Sequence, residues 1–348
     1  MNRPYTSPPN RRRRKGATAL AVATLALSGF VAACGGGDDT TGDEQAAGDG
    51  GGEALKVGVF FPGSISDTGF MQSGYEGYER AREEHGDAVE LSYVEQVAAS
   101  DYEQALVRFA SQNSLVISMG GQTDADVRKV AERFPDVKFV EIGGPRDAEP
   151  MPNLAYYDPE QPEAHYLSGA VSASLVDDGE IAYIGGVELP AIVNSAKAFE
   201  NGAKAANDKA KVLAPQYAGD FNDPSKAKQA AEALVGAGAE VIGQELNLGK
   251  QGIEQVVKAR DAQMIGGPLL GECGDEAIPG YFETNIGVEI EYAINAVLED
   301  TYEAAQVPFG LTTDRGGIDF KLCTDDAKAE AALEEAREAV ASGSVEPY

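Results

Sequence analysis

Asp67-Thr-Gly-Phe70 sets the first chemical question. It places a carboxylate and an aromatic ring three positions apart, shortly after Pro62, Gly63 and Ser64 break the apolar run from Lys56 to Phe61. A strand that breaks into a polar loop before a helix delivers loop side chains to the carboxyl edge of a sheet. Open α/β sheets bind ligands at that edge, and the helix start offers free N–H groups. In such a crevice Asp67 serves as a hydrogen-bond acceptor and Phe70 as a face for a flat ligand. The same residues also suit a purely architectural role, with Asp67 capping the helix and Phe70 packing in the core.

The other reactive side chains do not form a catalytic set. The two histidines, His85 and His165, stand far apart, with no cysteine or carboxylate cluster at ligand spacing. That argues against a zinc site or a histidine triad. There is no GxSxG elbow and no Walker A loop. Gly236-Ala-Gly238 follows a helix and precedes a strand, the reverse of the order a dinucleotide motif needs, and reads as a helix C-cap. The chain is therefore read as a binding protein, not an enzyme, and no cofactor is expected. With 57 acidic against 28 basic residues and a formal charge of −29, nucleic acid is a poor partner, because phosphate binding needs a basic face.

The elements that must position Asp67 and Phe70 follow from periodicity. The helix after Phe70 carries Met71, Tyr75 and Tyr78 along one side. Strands are expected at Val89–Val94, Leu115–Met119, Val137–Ile142 and Leu154–Tyr157, with helices at Asp101–Gln112 and Asp124–Phe134 between them. The alternation then restarts. Glu163–Val176 is a helix whose Ala, Ser and Gly residues demand close packing. Ile181–Ile184, Val212–Tyr217, Val241–Ile242 and Met264–Ile265 are strands. Ile192–Asn207, a helix opened by Asp223-Pro-Ser225, and Gly249–Ala262 are helices, and Ile286–Thr301 and Ala327–Ala341 close the chain. Repeated βα units imply parallel sheets with right-handed crossovers, and two runs of them imply two lobes with a cleft between. At 348 residues the chain suits two domains. The boundaries expected are 54–157 with about 266–315 for the first lobe, and 158–265 with about 316–348 for the second.

The N-terminus reads as an address. Arg11 to Lys15 form a basic segment, and Gly16 to Ala33 an apolar one that is too short for a lasting span: a signal peptide over residues 1–33. Val31-Ala-Ala-Cys34 resembles a lipobox, with Cys34 as the lipidated residue, and residues 34–53 are a polar tether unable to fold. Multiple acyl chains such as palmitate on Cys34 would hold the protein to the outer face of the cell membrane. Cys273 and Cys323 form an even pair in an oxidising compartment, so they are either a disulfide or two buried thiols.

Four motifs in order carry a resemblance. Asp67-Thr-Gly-Phe-Met-Gln-Ser-Gly-Tyr-Glu-Gly77 is similar to D-x-x-F-N-Q-x-x-x-x-G, and the stretch from Val127 ending in Phe134-Pro-Asp-Val-Lys-Phe139 resembles A-x-x-Y-P-D-V-x-F. Gly185-Gly-Val-Glu-Leu-Pro190, with Phe199 and Gly202, resembles G-G-M-D-x-P followed by G-F-x-x-G, and Asp220-Phe-Asn-Asp-Pro224 matches S-F-x-D-P. These are motifs of the basic membrane protein (BMP) family of ABC-transporter substrate-binding lipoproteins. The resemblance runs from Lys56 to at least Ala262. It implies the type I periplasmic-binding-protein fold, two Rossmann-like lobes joined by a three-strand hinge, with ABC permease subunits and a small molecule as partners.

Nucleoside-binding members of that family stack the base between rings and hold ribose with carboxylates. Carried over, Asp67 and Phe70 supply first-lobe contacts, and Asp124 or Asp126 a second acidic one. Phe221 supplies the second-lobe ring, and Gly249 or Gly252 a close backbone approach. The chain departs from the family at Met71, at Asn194-Ser195 and at Gly266-Gly-Pro-Leu-Leu270, where a sugar-gripping carboxylate is missing; Glu272 or Asp275 is the candidate to replace it as a ligand contact. The resulting expectation is a lipid-anchored receptor for a small polar, heteroaromatic, nucleoside-like ligand. A sugar-type solute receptor and a sensory or surface lipoprotein with a degenerate pocket remain alternatives.

Overall fold

The structure is a computed structural model that describes residues 53–348; the expected signal peptide, Cys34 and the tether as far as residue 52 lie outside them. The first run comprises β1 (Leu55–Phe60), α1 (Phe70–His85), β2 (Val89–Val94), α2 (Tyr102–Ala110), β3 (Leu115–Met119), α3 (Asp124–Arg133), β4 (Lys138–Ile142) and β5 (Leu154–Asp158). The second comprises α4 (Gln161–Ser174), β6 (Glu180–Gly185), α5 (Pro190–Ala206), β7 (Lys211–Val212), β8 (Gln216–Tyr217), α6 (Pro224–Gly236), β9 (Ala239–Glu245), α7 (Lys250–Arg260) and β10 (Gln263–Met264). The closing part holds β11 (Gly280–Thr284), α8 (Gly287–Leu298), β12 (Gln306–Pro308), β13 (Ile318–Leu322) and α9 (Ala327–Ala341).

Six strands form one sheet in the order β12-β5-β4-β3-β1-β2, every pair parallel. Helices cover both faces, so central strands such as β3 are buried at every position and read as unbroken apolar runs. Along β1 the side chains alternate between two cores. Val57 and Val59 meet α1 and α8 through residues such as Tyr78 and Ile290, while Phe60 meets α2 and α3 through Leu106 and Val127.

The second sheet runs β10-β9-β6-β7, with β8 also pairing β6, again all parallel. α4, α5 and α9 pack on one face around Leu167, Tyr183, Phe199 and Leu333. α6 and α7 cover the other around Ala231, Leu234 and Ile253. α4 is buried along its whole length. A methyl on Gly169 would lie 2.0 Å from the Phe199 carbonyl oxygen, and one on Gly202 2.0 Å from that of Tyr166. Reciprocal glycines thus let α4 and α5 touch backbone to backbone, as the small residues of α4 demand. β11 and β13 form an antiparallel pair whose Phe282 and Phe320 join the α4 core. The bonded cysteines Cys273 and Cys323 fasten the ends of that pair.

The chain passes between the two sheet systems three times: after β5, between β11 and α8, and between β12 and β13. The return passage lies later than the expected boundary at about 266. Ile278 and Tyr281 pack with the α6–α7 core, and Phe282 with the α4 core, so 266–284 stays beside the second sheet. The expected strand Val212–Tyr217 is two short pieces, because Pro215, which has no N–H, falls between them. β9 is longer than expected and runs to Glu245.

A candidate ligand-binding cleft

Loops at the carboxyl ends of the parallel strands converge from both sheets on one cavity of about 190 Å³, the edge where such sheets bind ligands. The first sheet contributes Phe70, Gln122, Arg146 and Asp158; the second contributes Asn194, Phe221, Glu245 and Asn247; Gln161 lies between them at the start of α4. Each phenyl ring leans on a glycine of a neighbouring loop. A Cβ on Gly143 would meet the Phe70 ring tip at 3.2 Å, and one on Gly186 would lie 2.2 Å from Phe221 Cδ1. Glycine is what admits the rings there.

Asp67 is placed differently from the expected ligand anchor. It is 2% exposed and is not among the residues lining the cavity. Its Oδ1 accepts from the N–H of Gly69 at 2.8 Å and of Gln72 at 3.1 Å, and its Oδ2 from that of Met71 at 3.3 Å. The carboxylate therefore caps the first turn of α1, and its fourth partner is Asn247 Nδ2 at 2.8 Å, reaching across from the loop after β9. Asn247 Oδ1 in turn accepts from the Phe70 N–H at 3.2 Å. Lys250 strengthens this tie, donating from Nζ to the Thr68 carbonyl at 2.6 Å and the Gly267 carbonyl at 2.9 Å. Thr68 holds a left-handed φ of 56°, a costly conformation for a β-branched residue that these bonds sustain. Burial pushes the Asp67 carboxyl up, opposed by its three backbone donors and by Lys250. Burial also pulls Lys250 down to about 8, against the pull of Asp67 and Glu245.

Several other expected contacts lie elsewhere. Asp124 accepts from the Tyr156 hydroxyl at 2.7 Å, and Asp126 pairs with Lys129 on the α3 surface at 3.0 Å; neither lines the cavity. The Gly249 N–H donates to the Phe221 carbonyl at 3.0 Å, so its close approach supports the Phe221 loop. A Cβ on Gly252 would sit 2.0 Å from the Pro224 carbonyl, so that glycine serves α6–α7 packing. Glu272 is exposed beside the disulfide. Phe70 and Phe221 do line the same cavity.

The cavity's carboxylates are ones that local pattern passes over. Asp158 is engaged by Arg146 Nε at 3.0 Å and by the Glu160 N–H at 3.0 Å. Glu245, the last residue of β9, is 5% exposed. Its Oε2 pairs with Nε2 of the fully buried His165, and its Oε1 accepts from Gln161 Nε2 at 3.3 Å. A strand ending in a charged residue beside a new helix start is the one sequence signal that marks it. Among the described residues no cluster has the makings of a metal site, and no helix is long and apolar enough to cross a membrane.

Two sheets of parallel strands, three passages and a cavity between their carboxyl edges define a solute-binding protein of the type I periplasmic fold. A solute-binding protein of an ABC transporter system from Conexibacter woesei superposes with a TM-score of 0.67 at 24% identity, covering 84% of this chain and 98% of that one. The family described as "ABC transporter substrate-binding protein PnrA-like" matches residues 54–329, and the chain belongs to that family. A purine-binding protein of Brucella abortus is 29% identical over 85% of this chain and 83% of its own. A putative ABC transporter glucose-binding protein of Haloferax volcanii is 30% identical over 56% of this chain, which spans about half, 49%, of that relative. The family is one of substrate-binding proteins, and the Conexibacter neighbour is a solute-binding protein of an ABC transporter system.

Proposed function

We propose that the cleft takes a single heteroaromatic solute of nucleobase or nucleoside type and presents it to an ABC permease. The observation that carries this reading is that Phe70 and Phe221, from opposite sheets, line one small cavity together with amide, carboxylate and guanidinium groups. Rings supply faces for a planar ligand, and the few polar groups fix its orientation. A cavity of about 190 Å³ is below the roughly 300–1,000 Å³ of drug-sized pockets, which favours one small solute over an oligomer. The name of the Brucella relative leans the same way.

A thermal-shift panel of bases, nucleosides and hexoses tests this. A saturating ligand raises the melting temperature by mass action. Phe221→Ala should weaken a base-containing ligand by about 1–3 kcal/mol, the worth of one stacked ring. If only hexoses shift the wild type, the stacking reading falls and a sugar receptor replaces it.

We further infer that the chain is held at the outer face of the membrane by lipid on Cys34, on the strength of Val31-Ala-Ala-Cys34 behind a basic and apolar leader. Cys34→Ser should move the protein from the membrane fraction to the soluble one. Unchanged retention would rule the anchor out.

A further inference from the structure

Building on the heteroaromatic reading of the cleft, we infer that Glu245 is its specificity-determining residue. Its carboxylate accepts two neighbouring N–H donors from the edge of the bound ring. The protein therefore prefers a heterocycle with an aminated N–C–N edge, as in guanine, to one whose edge pairs a donor with an acceptor, as in adenine.

Among the described residues two side-chain carboxylates line the cavity, and they are not equivalent. Asp158 is held in an ion pair by Arg146. Among the described residues Glu245 is hydrogen-bonded only by side chains of α4, His165 on Oε2 and Gln161 on Oε1. A carboxylate offers about four lone-pair sites, so these partners leave one on each oxygen. The His165 Nδ1 is buried with no partner among the described residues. A proton there would be a buried unpaired donor, so the imidazole carries its hydrogen on Nε2 and donates it to Glu245. The remaining acceptor positions of Glu245 face a nearly dry site, where they demand further donors. Two adjacent ligand N–H groups meet that demand in the paired geometry that suits a carboxylate. A ring acceptor in the same place would face the anion lone pair to lone pair and be rejected. α4 packs backbone to backbone against α5, so the residues that aim Glu245 sit on a rigid element.

Titration calorimetry of the full-length protein in detergent, with guanosine, adenosine, inosine and glucose, tests the inference. The wild type should bind guanosine roughly 10- to 100-fold more tightly than adenosine, the usual worth of a two-bond edge contact, with inosine between them. Glu245→Gln should collapse that preference, because its amide offers one acceptor and one donor in place of two acceptors. Gln161→Ala, at a positioning residue, should weaken guanosine more than adenosine, whereas equal losses would count against the inference. If Glu245→Gln does not fold, Glu245→Asp carries the test: its retracted carboxylate shrinks the preference. An unchanged preference in either Glu245 variant, or a wild type that favours adenosine, overturns the inference while the heteroaromatic reading stands. A wild type that binds glucose and no nucleoside overturns both.

Discussion

Asp67 and Glu245 occupy equivalent places in the two halves of the cleft. Asp67 follows the buried parallel strand β1 and precedes α1, and Glu245 ends the buried parallel strand β9 and precedes α7. Each is almost fully buried, at 2% and 5% exposure. Their lone pairs have different fates. Asp67 is taken up by three backbone N–H groups of its own helix start and by the Asn247 amide. Glu245 is met by two side chains from another helix and still lines the cavity. A carboxylate at a strand's carboxyl edge is thus free for a ligand only when it does not cap the helix that follows. Position in the topology nominates both residues, and the destination of each oxygen separates them.

Removing the capping carboxylate has the largest expected effect. Asp67→Ala leaves the N–H groups of Gly69, Met71 and Gln72 and the Asn247 amide without their acceptor. A lost cap and an unpaired buried donor each cost about 1–2 kcal/mol, so unfolding in urea should show a loss of about 2–4 kcal/mol with an unchanged m-value. Glu245→Gln keeps shape and packing and should change stability far less while altering ligand preference. If Asp67→Ala unfolds at the wild-type midpoint and abolishes binding, Asp67 is a ligand anchor after all and the contrast collapses.

How much of this was legible in the chain depends on sequence distance. The bounds of α9 agree with the expected Ala327–Ala341, because Asp326 caps the helix from an adjacent position and its apolar positions repeat locally. The two sheets were readable for the same reason: βα alternation is written in consecutive residues. Phe70 and Phe221 were found through motifs that are local strings. The role of Asp67 was legible only as two alternatives, since the choice depends on whether its oxygens face a ligand or backbone N–H groups. Its cross-cleft partner Asn247 is 180 residues away. The Glu245–His165 pair joins residues 80 apart, and no periodicity in either segment announces the other. His165 stood out only for its rarity, and β9 was read too short to reach Glu245. Asp124, carried over from the resemblance, accepts from a Tyr156 hydroxyl, and an acidic first turn of a helix looks the same in sequence whether it meets a ligand or such a hydroxyl.

A smaller effect, in pH, probes the side of the comparison on which Asp67 stands. Lys250 ties the Asp67 loop to the second sheet through the carbonyls of Thr68 and Gly267, and burial holds its pKa at about 8. An unfolded lysine titrates near 10.4, so between about 8 and 10.4 the unfolded chain keeps a proton that the folded chain has released. Stability must therefore rise with pH across that window, and the cost of burying the charge is in full force below it. Lys250→Met has no such proton. The stability of the wild type relative to Lys250→Met should climb by about 1–2 kcal/mol from pH 8 to pH 9.5, and tyrosine ionisation, common to both proteins, cancels in the difference. Parallel curves would mean that the ammonium is hydrated rather than desolvated in the fold. Because Lys250 bonds to backbone carbonyls beside Asp67 and not to Glu245, the same variant should keep the wild-type order of ligand preference. A reordering would show that the tie and the acceptor are one device instead of two.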